Sequence, residues 1–130
     1  MTKSAITSRI RAMAEEIEPY VIEKRRYFHA HPELSMHEVK TSDALAAALD
    51  EIGVSYVRPY ETGLIVTIKG EAPNAYDENG KPHHCIALRS DIDALPVNEL
   101  TKVEYASRNE GVMHACGHDC HMAMMLGAIR

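Results

Sequence analysis

The sequence predicts a mixed α/β fold in which helices pack on a sheet. Apolar residues recur at helical spacing through the first part of the chain. Two short apolar runs, 64–68 and 85–88, then have the length and composition of strands. A helical pattern returns near Asp119 and continues through Ile129. This order of helices, strands and a final helix leads us to expect α/β architecture.

The first helix is predicted from an apolar stripe at helical spacing. Its members are Ile6, Ile10, Met13, Ile17 and Val21. Pro19 lies inside the stripe, so we expect a kink or a restarted helix there. The pattern continues through Phe28 and should stop before Pro32, because a proline disfavours helical backbone at the residue before it.

The second helix is predicted behind Ser35–Glu38, where a hydroxyl is followed three residues later by a carboxylate, as in a capping box. Its apolar stripe consists of Val39, Leu45, Leu49 and Ile52. Gly53 is a suitable terminator.

Strands are predicted at 54–58 and 64–68, the latter rich in β-branched residues. Residues 71–84 are polar and contain an Asn79-Gly80 turn signal, which indicates a hairpin loop. Residues 85–88 should form a strand buried on both faces. Residues 91–113 lack periodicity and are predicted to be loop.

Composition narrows the classes of function. The 130 residues suffice for one domain, and the formal net charge of −5 argues against a nucleic-acid partner. No apolar run is long enough to cross a membrane, and the first residues lack the apolar core of a secretory signal. Three cysteines cannot all pair with one another, and two lie among histidines, so we expect a reducing cytoplasm.

The segment His114–His121 concentrates metal-binding chemistry, with three imidazoles, two thiols and a carboxylate. Thiolate and imidazole are preferred ligands of zinc and similar ions. Cys116 and His118 are two apart and can face one side. Asp119 could orient a ligand histidine, bind metal or cap the following helix. A closed structural site that adds Cys120 and His121 is the alternative.

Two further segments carry candidate residues. Asp91 and Asp93 follow the run at 85–88, and could bind a cation, orient its histidine ligands, or simply cap a strand as exposed acids. His29 and His31 stand at a predicted helix end, where imidazoles often cap carbonyls, so a structural or substrate-side role is favoured over metal ligation.

Together these segments resemble the M20 peptidases, in particular the branch of hippurate hydrolases, N-acyl-amino-acid amidohydrolases and indoleacetyl-amino-acid hydrolases. The most specific match is His114–His121. The other matching stretches are Arg25–Leu34, Thr62-Gly63, Leu88–Pro96 and Met125–Ala128. One departure is Cys120, where relatives usually carry a small residue; the extra thiol could be a spare ligand or an oxidation liability.

The resemblance implies a metal-dependent enzyme that hydrolyses the amide bond of N-acyl amino acids or related small amides. It implies two divalent ions, of zinc, manganese or cobalt, with Cys116 and His118 as metal ligands. Asp93 corresponds to the supporting acid of the site, and Asp91 is expected close by. The implied fold is a zinc-exopeptidase-like catalytic domain.

Length is the larger departure from the family. Residues 1–130 should form only the amino-terminal part of the catalytic domain. The general-base glutamate, two further metal-binding histidines and the dimerisation or lid domain would lie outside them. We therefore expect no catalysis by this chain alone.

The expected partner is a small N-acyl amino acid, without nucleic acid or membrane. Self-association, or pairing with a separate carboxyl-terminal part, is a further expectation. Two alternatives stay open: a stand-alone metal-binding module, and a subunit completed by another chain.

Overall fold

The computed structural model describes residues 2–130 and has mixed α/β architecture, as predicted. Its elements in chain order are α1 (Lys3–Ala30), α2 (Val39–Ile52), β1 (Tyr56–Val57), β2 (Ile65–Val66) and α3 (His118–Ile129). In the described part of the chain, no helix combines the length and the apolar character needed to span a membrane.

Helix α1 begins after Thr2, whose hydroxyl accepts a hydrogen bond from the Ala5 N–H at 3.3 Å. The helix continues through Pro19 without a break, so of the two predicted alternatives, a kink or a restart, the restart is wrong. A proline removes only one helical N–H donor, and the helix can continue where the rest of it is supported by packing. The carboxyl half has that support, because α1 packs along α3. The helix ends at Ala30, just before Pro32.

The start of α2 differs from the predicted capping box. Glu38 is the N-cap residue, and its side chain makes no capping hydrogen bond. Instead, the carboxylate of Glu33 accepts hydrogen bonds from the N–H groups of Lys40 at 3.3 Å and Thr41 at 2.7 Å. Met36, at φ 67°, takes the backbone through the turn between them. The helix ends at Gly53, as predicted, in left-handed conformation at φ 84°.

The sheet is smaller than the sequence suggested. Strands β1 and β2 are two-residue pieces of the predicted runs and pair antiparallel, with Tyr56 opposite Val66. The predicted buried strand at 85–88 is wrong, because this segment has no strand assignment and Ile86 is 86% exposed. Within residues 2–130 no strand pairs with it, so its apolar composition is not accompanied by burial or by a backbone ladder.

The loop predictions agree with the structure. Residues 91–113 contain only isolated bridges, Leu34 with Ala94 and Leu95 with Met113. Around the Asn79-Gly80 turn, a bridge joins Tyr76 to Pro82, and the Asp77 carboxylate accepts hydrogen bonds from the N–H groups of two later loop residues.

The core lies where the end of α1, one face of α2 and α3 meet. Its buried members are Phe28, Leu45, Ala48, Leu49, Met122 and Leu126. Gly127 on α3 is the point of closest approach to α1, since a Cβ there would lie 2.6 Å from Cγ2 of Val21. The two helices can therefore approach this closely only because position 127 has no side chain. The packing of α3 on α1 determines where the first turn of α3 lies.

Candidate metal centre

His118, the first residue of α3, faces the carboxylate of Asp93 from the preceding long loop. The Nδ1 atom of His118 lies 2.9 Å from Oδ1 and 3.0 Å from the backbone oxygen of Asp93. Both of these atoms are acceptors, so Nδ1 must carry the proton. The lone pair of the neutral ring is then on Nε2. A carboxylate that orients the far nitrogen of a histidine is the usual arrangement around a metal-ligating imidazole.

The second predicted ligand, Cys116, is an exposed free cysteine two residues before His118. Gly117 joins them at φ 87°, a left-handed conformation that side chains disfavour. His121 stacks on His118 with ring centroids 5.8 Å apart, which places another imidazole beside the candidate ligand.

These residues fit a divalent ion in ligand chemistry, but they supply only part of a ligand set. Among residues 2–130, no three His, Cys, Asp or Glu side chains lie together in a way that could hold a metal ion. The closed structural site from Cys116, His118, Cys120 and His121 is therefore not formed. Two candidate ligands, one of them an oriented imidazole, would need further donors to complete a site.

The two predicted acids have different surroundings. Asp93 contacts His118, as described above. Asp91 is paired with Arg89, whose Nε and Nη2 atoms lie 2.8 and 2.7 Å from its Oδ1. This ion pair is largely exposed, with 87% of the Arg89 side chain accessible. The contacts therefore separate the roles of the two acids, and only Asp93 is joined to a predicted ligand.

A buried network of charge lies directly behind this segment. The His29 ring at the end of α1 lies between two carboxylates, with Nδ1 2.7 Å from Asp119 Oδ2 and Nε2 3.1 Å from Glu99 Oε1. Because a carboxylate can only accept, both ring nitrogens donate and the ring carries a positive charge. The Nε atom of Arg25 also lies 2.9 Å from Asp119 Oδ2. Asp119 is fully buried and forms no side-chain cap on α3.

His31 contrasts with its neighbour. Its Nδ1 donates to the backbone oxygen of Tyr27 at 2.7 Å, on the exposed side of the helix end. This contact agrees with the structural role expected of an imidazole at a helix terminus.

His114 is the remaining buried imidazole, only 4% exposed, and neither ring nitrogen has a hydrogen-bond partner in the structure. Burial lowers the pKa of His114, and the neighbouring imidazoles of His29 and His118 add to the decrease, while the carboxylates of Asp119 and Asp93 oppose it. Oδ1 of Asp119 is likewise without a partner. Unpaired buried polar atoms are uncommon and tend to mark places where water or a ligand belongs.

The sequence did not predict that Glu99 is a buried partner of His29, or that the His29 ring lies between two carboxylates. Glu99 stands in a loop without periodicity, where an acid is usually exposed, and its partner is 70 residues away in the chain. A weak signal was present, since Thr101, two residues after Glu99, has a hydroxyl that donates to this carboxylate.

Glu99 should make stability depend on acid pH. Burial disfavours its ionised form, but hydrogen bonds from the Ser107 N–H, the Thr101 hydroxyl and His29 outweigh burial and lower the pKa of Glu99 from 4.5 to about 2. The resulting stabilisation is complete above the ordinary pKa and is lost as pH falls from 4.5 towards 2. We expect urea unfolding at several pH values to show this loss.

The Glu99→Gln variant is the control for that pH series, because every other carboxylate is retained. Its free energy of unfolding should fall less steeply between those two pH values than that of the unmodified protein. The difference in slope should approach the uptake of one proton. Parallel curves for the two proteins would contradict the assignment.

The fold and the oriented histidine define a class: α/β proteins in which a loop carboxylate orients a histidine at the start of a helix. Comparison with known proteins makes the class more specific. The sequence family described as Peptidase family M20/M25/M40 matches residues 87–130, the part that contains Asp93, Cys116 and His118. The chain is 46% identical over 107 residues to an uncharacterized hydrolase of Staphylococcus haemolyticus, covering 82% of this chain and 25% of that protein.

Two further relatives are similar to this chain over most of its length. An N-acyl-L-amino acid amidohydrolase of Geobacillus stearothermophilus is 40% identical over 122 residues, which cover 93% of this chain and 30% of the relative. The crystal structure of a Bacillus subtilis protein, described as a dinuclear metal-binding peptidase of the M20 family, superimposes with a TM-score of 0.73 at 38% identity. That match covers 92% of this chain and 31% of the other.

The chain is therefore similar to M20-family proteins over most of its length, which confirms the resemblance drawn from its motifs. The chain spans about a quarter to a third of the length of the relatives it matches.

Proposed function

We propose that the protein carrying this sequence hydrolyses the amide bond of N-acyl amino acids or related small amides, and that Cys116 and His118 are ligands of its metal centre. The observation that carries the proposal is the 2.9 Å contact between Asp93 and His118, which leaves Nε2 of the ring free to bind an ion. The amidohydrolase named among the relatives supports the substrate class.

Each residue has a distinct task in this proposal. Cys116 and His118 bind the ion through sulfur and Nε2. Asp93 holds the proton on Nδ1 of His118 and so keeps the ring in the binding tautomer. When bound, a pair of divalent ions, of zinc, manganese or cobalt, lowers the pKa of a water molecule and polarises the amide carbonyl.

The compartment proposed for this chemistry is the cytoplasm. Cys85, Cys116 and Cys120 are all free cysteines, and a metal-binding thiol has to stay reduced.

The ligands can be tested with cobalt(II), whose bonds to thiolate give a charge-transfer absorption band. We expect the unmodified protein to develop this band and Cys116→Ser to lose it. Asp93→Ala should keep the band but bind cobalt about 10–100-fold more weakly, as expected when the partner of a ligand histidine is removed. Cys85→Ser is the matched control, because Cys85 is also exposed but lies outside the site.

Two results would contradict the assignment. A band that survives Cys116→Ser but disappears in Cys120→Ser would make Cys120 the ligand. Absence of the band from the unmodified protein would remove the metal centre from the proposal.

The substrate class is tested separately. Residues 1–130 can be joined to the remaining part of the Geobacillus relative, and amine release measured with acetylated amino acids and hippurate. A hybrid that folds, binds cobalt and releases no amine would contradict the proposed activity.

A further inference from the structure

The segment that carries Cys116 and His118 has little local support. Ala115 and Cys116 are exposed, and Gly117 has a backbone conformation open to glycine but strained for other residues. The first turn of α3 has no side-chain cap. The conformation of the ligand segment must therefore be held by contacts from elsewhere in the fold.

Those contacts converge on Asp119, which directly follows His118 in the chain. Its carboxylate is fully buried and faces His29 at 2.7 Å and Arg25 at 2.9 Å, both on α1. The His118 ring is held on its other side by Asp93. Two adjacent residues at the start of α3 are thus fixed from two directions, one by the end of α1 and one by the long loop.

His29 is in turn held by Glu99. The Glu99 side chain is 4% exposed, and it also accepts a hydrogen bond from the Ser107 N–H at 2.6 Å. The rings of His29 and Tyr105 pack edge to face, with centroids 5.7 Å apart. The network contains two positive groups, Arg25 and His29, and two negative ones, Asp119 and Glu99. Its charges balance, which is the condition under which buried ions are tolerated.

We propose that His29, Asp119 and Glu99 are positioning residues for metal binding, which hold the ligand segment in the conformation that presents Cys116 and His118 together. The inference rests on the proposed function, since it assumes that these two residues bind the ion. None of the three residues touches the ion in this arrangement. They act through the backbone at the start of α3.

The test compares two histidines at the same helix end. His29→Gln replaces the ring that bridges Asp119 and Glu99 with an uncharged amide whose single NH2 group cannot occupy both ring-nitrogen positions. His31→Gln removes a bond to the Tyr27 carbonyl and a ring contact with Tyr27, and leaves the network intact. Cobalt(II) titrations of both variants, with circular dichroism to check folding, give the affinity and the thiolate band per bound ion. We expect His29→Gln to bind cobalt about 10–100-fold more weakly with a reduced band, and His31→Gln to match the unmodified protein.

A second variant protects the test against misfolding. Glu99→Gln preserves side-chain shape, and it should weaken cobalt binding in the same direction even if His29→Gln unfolds. Unchanged affinity and an unchanged band in a folded His29→Gln or Glu99→Gln would overturn the inference alone. A missing band in the unmodified protein would overturn the proposed function with it.

Discussion

Replacing Asp119 with alanine should lower the free energy of unfolding by about 3–5 kcal/mol, the usual cost of removing one partner from a buried ion pair. The substitution leaves His29 and Arg25 without the carboxylate that they face, at a place closed to solvent because Asp119 is fully buried. A loss of this size is a large share of the stability of a domain, which is about 5–15 kcal/mol. Denaturant unfolding followed by circular dichroism would measure it.

Asp50→Ala is the matched control for this experiment. Asp50 is also helical, but it is exposed on α2. Its replacement should change the free energy of unfolding by no more than about 0.5 kcal/mol. Asp119→Asn, which keeps the size and one acceptor oxygen, should fall between the two. A cost below about 1 kcal/mol for Asp119→Ala would mean that the buried charges are better hydrated than the structure implies.

Replacing Gly127 with valine is expected to destabilise the protein by about 3 kcal/mol or slightly more. The new Cβ would lie 2.6 Å from Cγ2 of Val21, well inside contact distance, so α1 and α3 would have to separate. Overpacking of this kind typically costs about 1–3 kcal/mol. Valine in place of glycine brings a small gain in helix propensity, a few tenths of a kcal/mol, which does not offset the clash.

Two variants isolate the clash. Ala128→Val places the same side chain at the neighbouring, exposed position of α3, where only helix propensity should matter. Combining Gly127→Val with Val21→Ala removes the Cγ2 atom of Val21 that the new side chain would clash with. The double variant should therefore be more stable than the sum of the two single losses predicts. Additive losses would show that Val21 is not the obstacle.

Features decided by local sequence could be predicted. The apolar spacing of Leu45 and Leu49 identified the buried face of α2, and Gly53 identified its end, because both signals lie within one or two helical turns. The start of α3 near Asp119 was equally visible. Cys116 and His118 stood out as candidate ligands since their chemistry is rare at such close spacing.

Features decided by contacts across the chain could not be predicted. The carboxylate of Glu33 replaces the expected cap of α2, although nothing in the sequence ranks it above Ser35. His29 meets a partner 90 residues away, a distance over which no periodicity applies. The run at 85–88 has the composition of a strand, but pairing depends on neighbours that composition does not reveal.

The separation between His29 and Asp119 also has a consequence for biosynthesis. A ribosome makes His29 early, but the carboxylate that completes its surroundings emerges 90 residues later. Likewise, His118 is made 25 residues after its partner Asp93. During translation, Cys116 and His118 are therefore made after α1 and after the loop that carries Asp93. We therefore expect the buried contacts of His29 to form only after the start of α3 has been made.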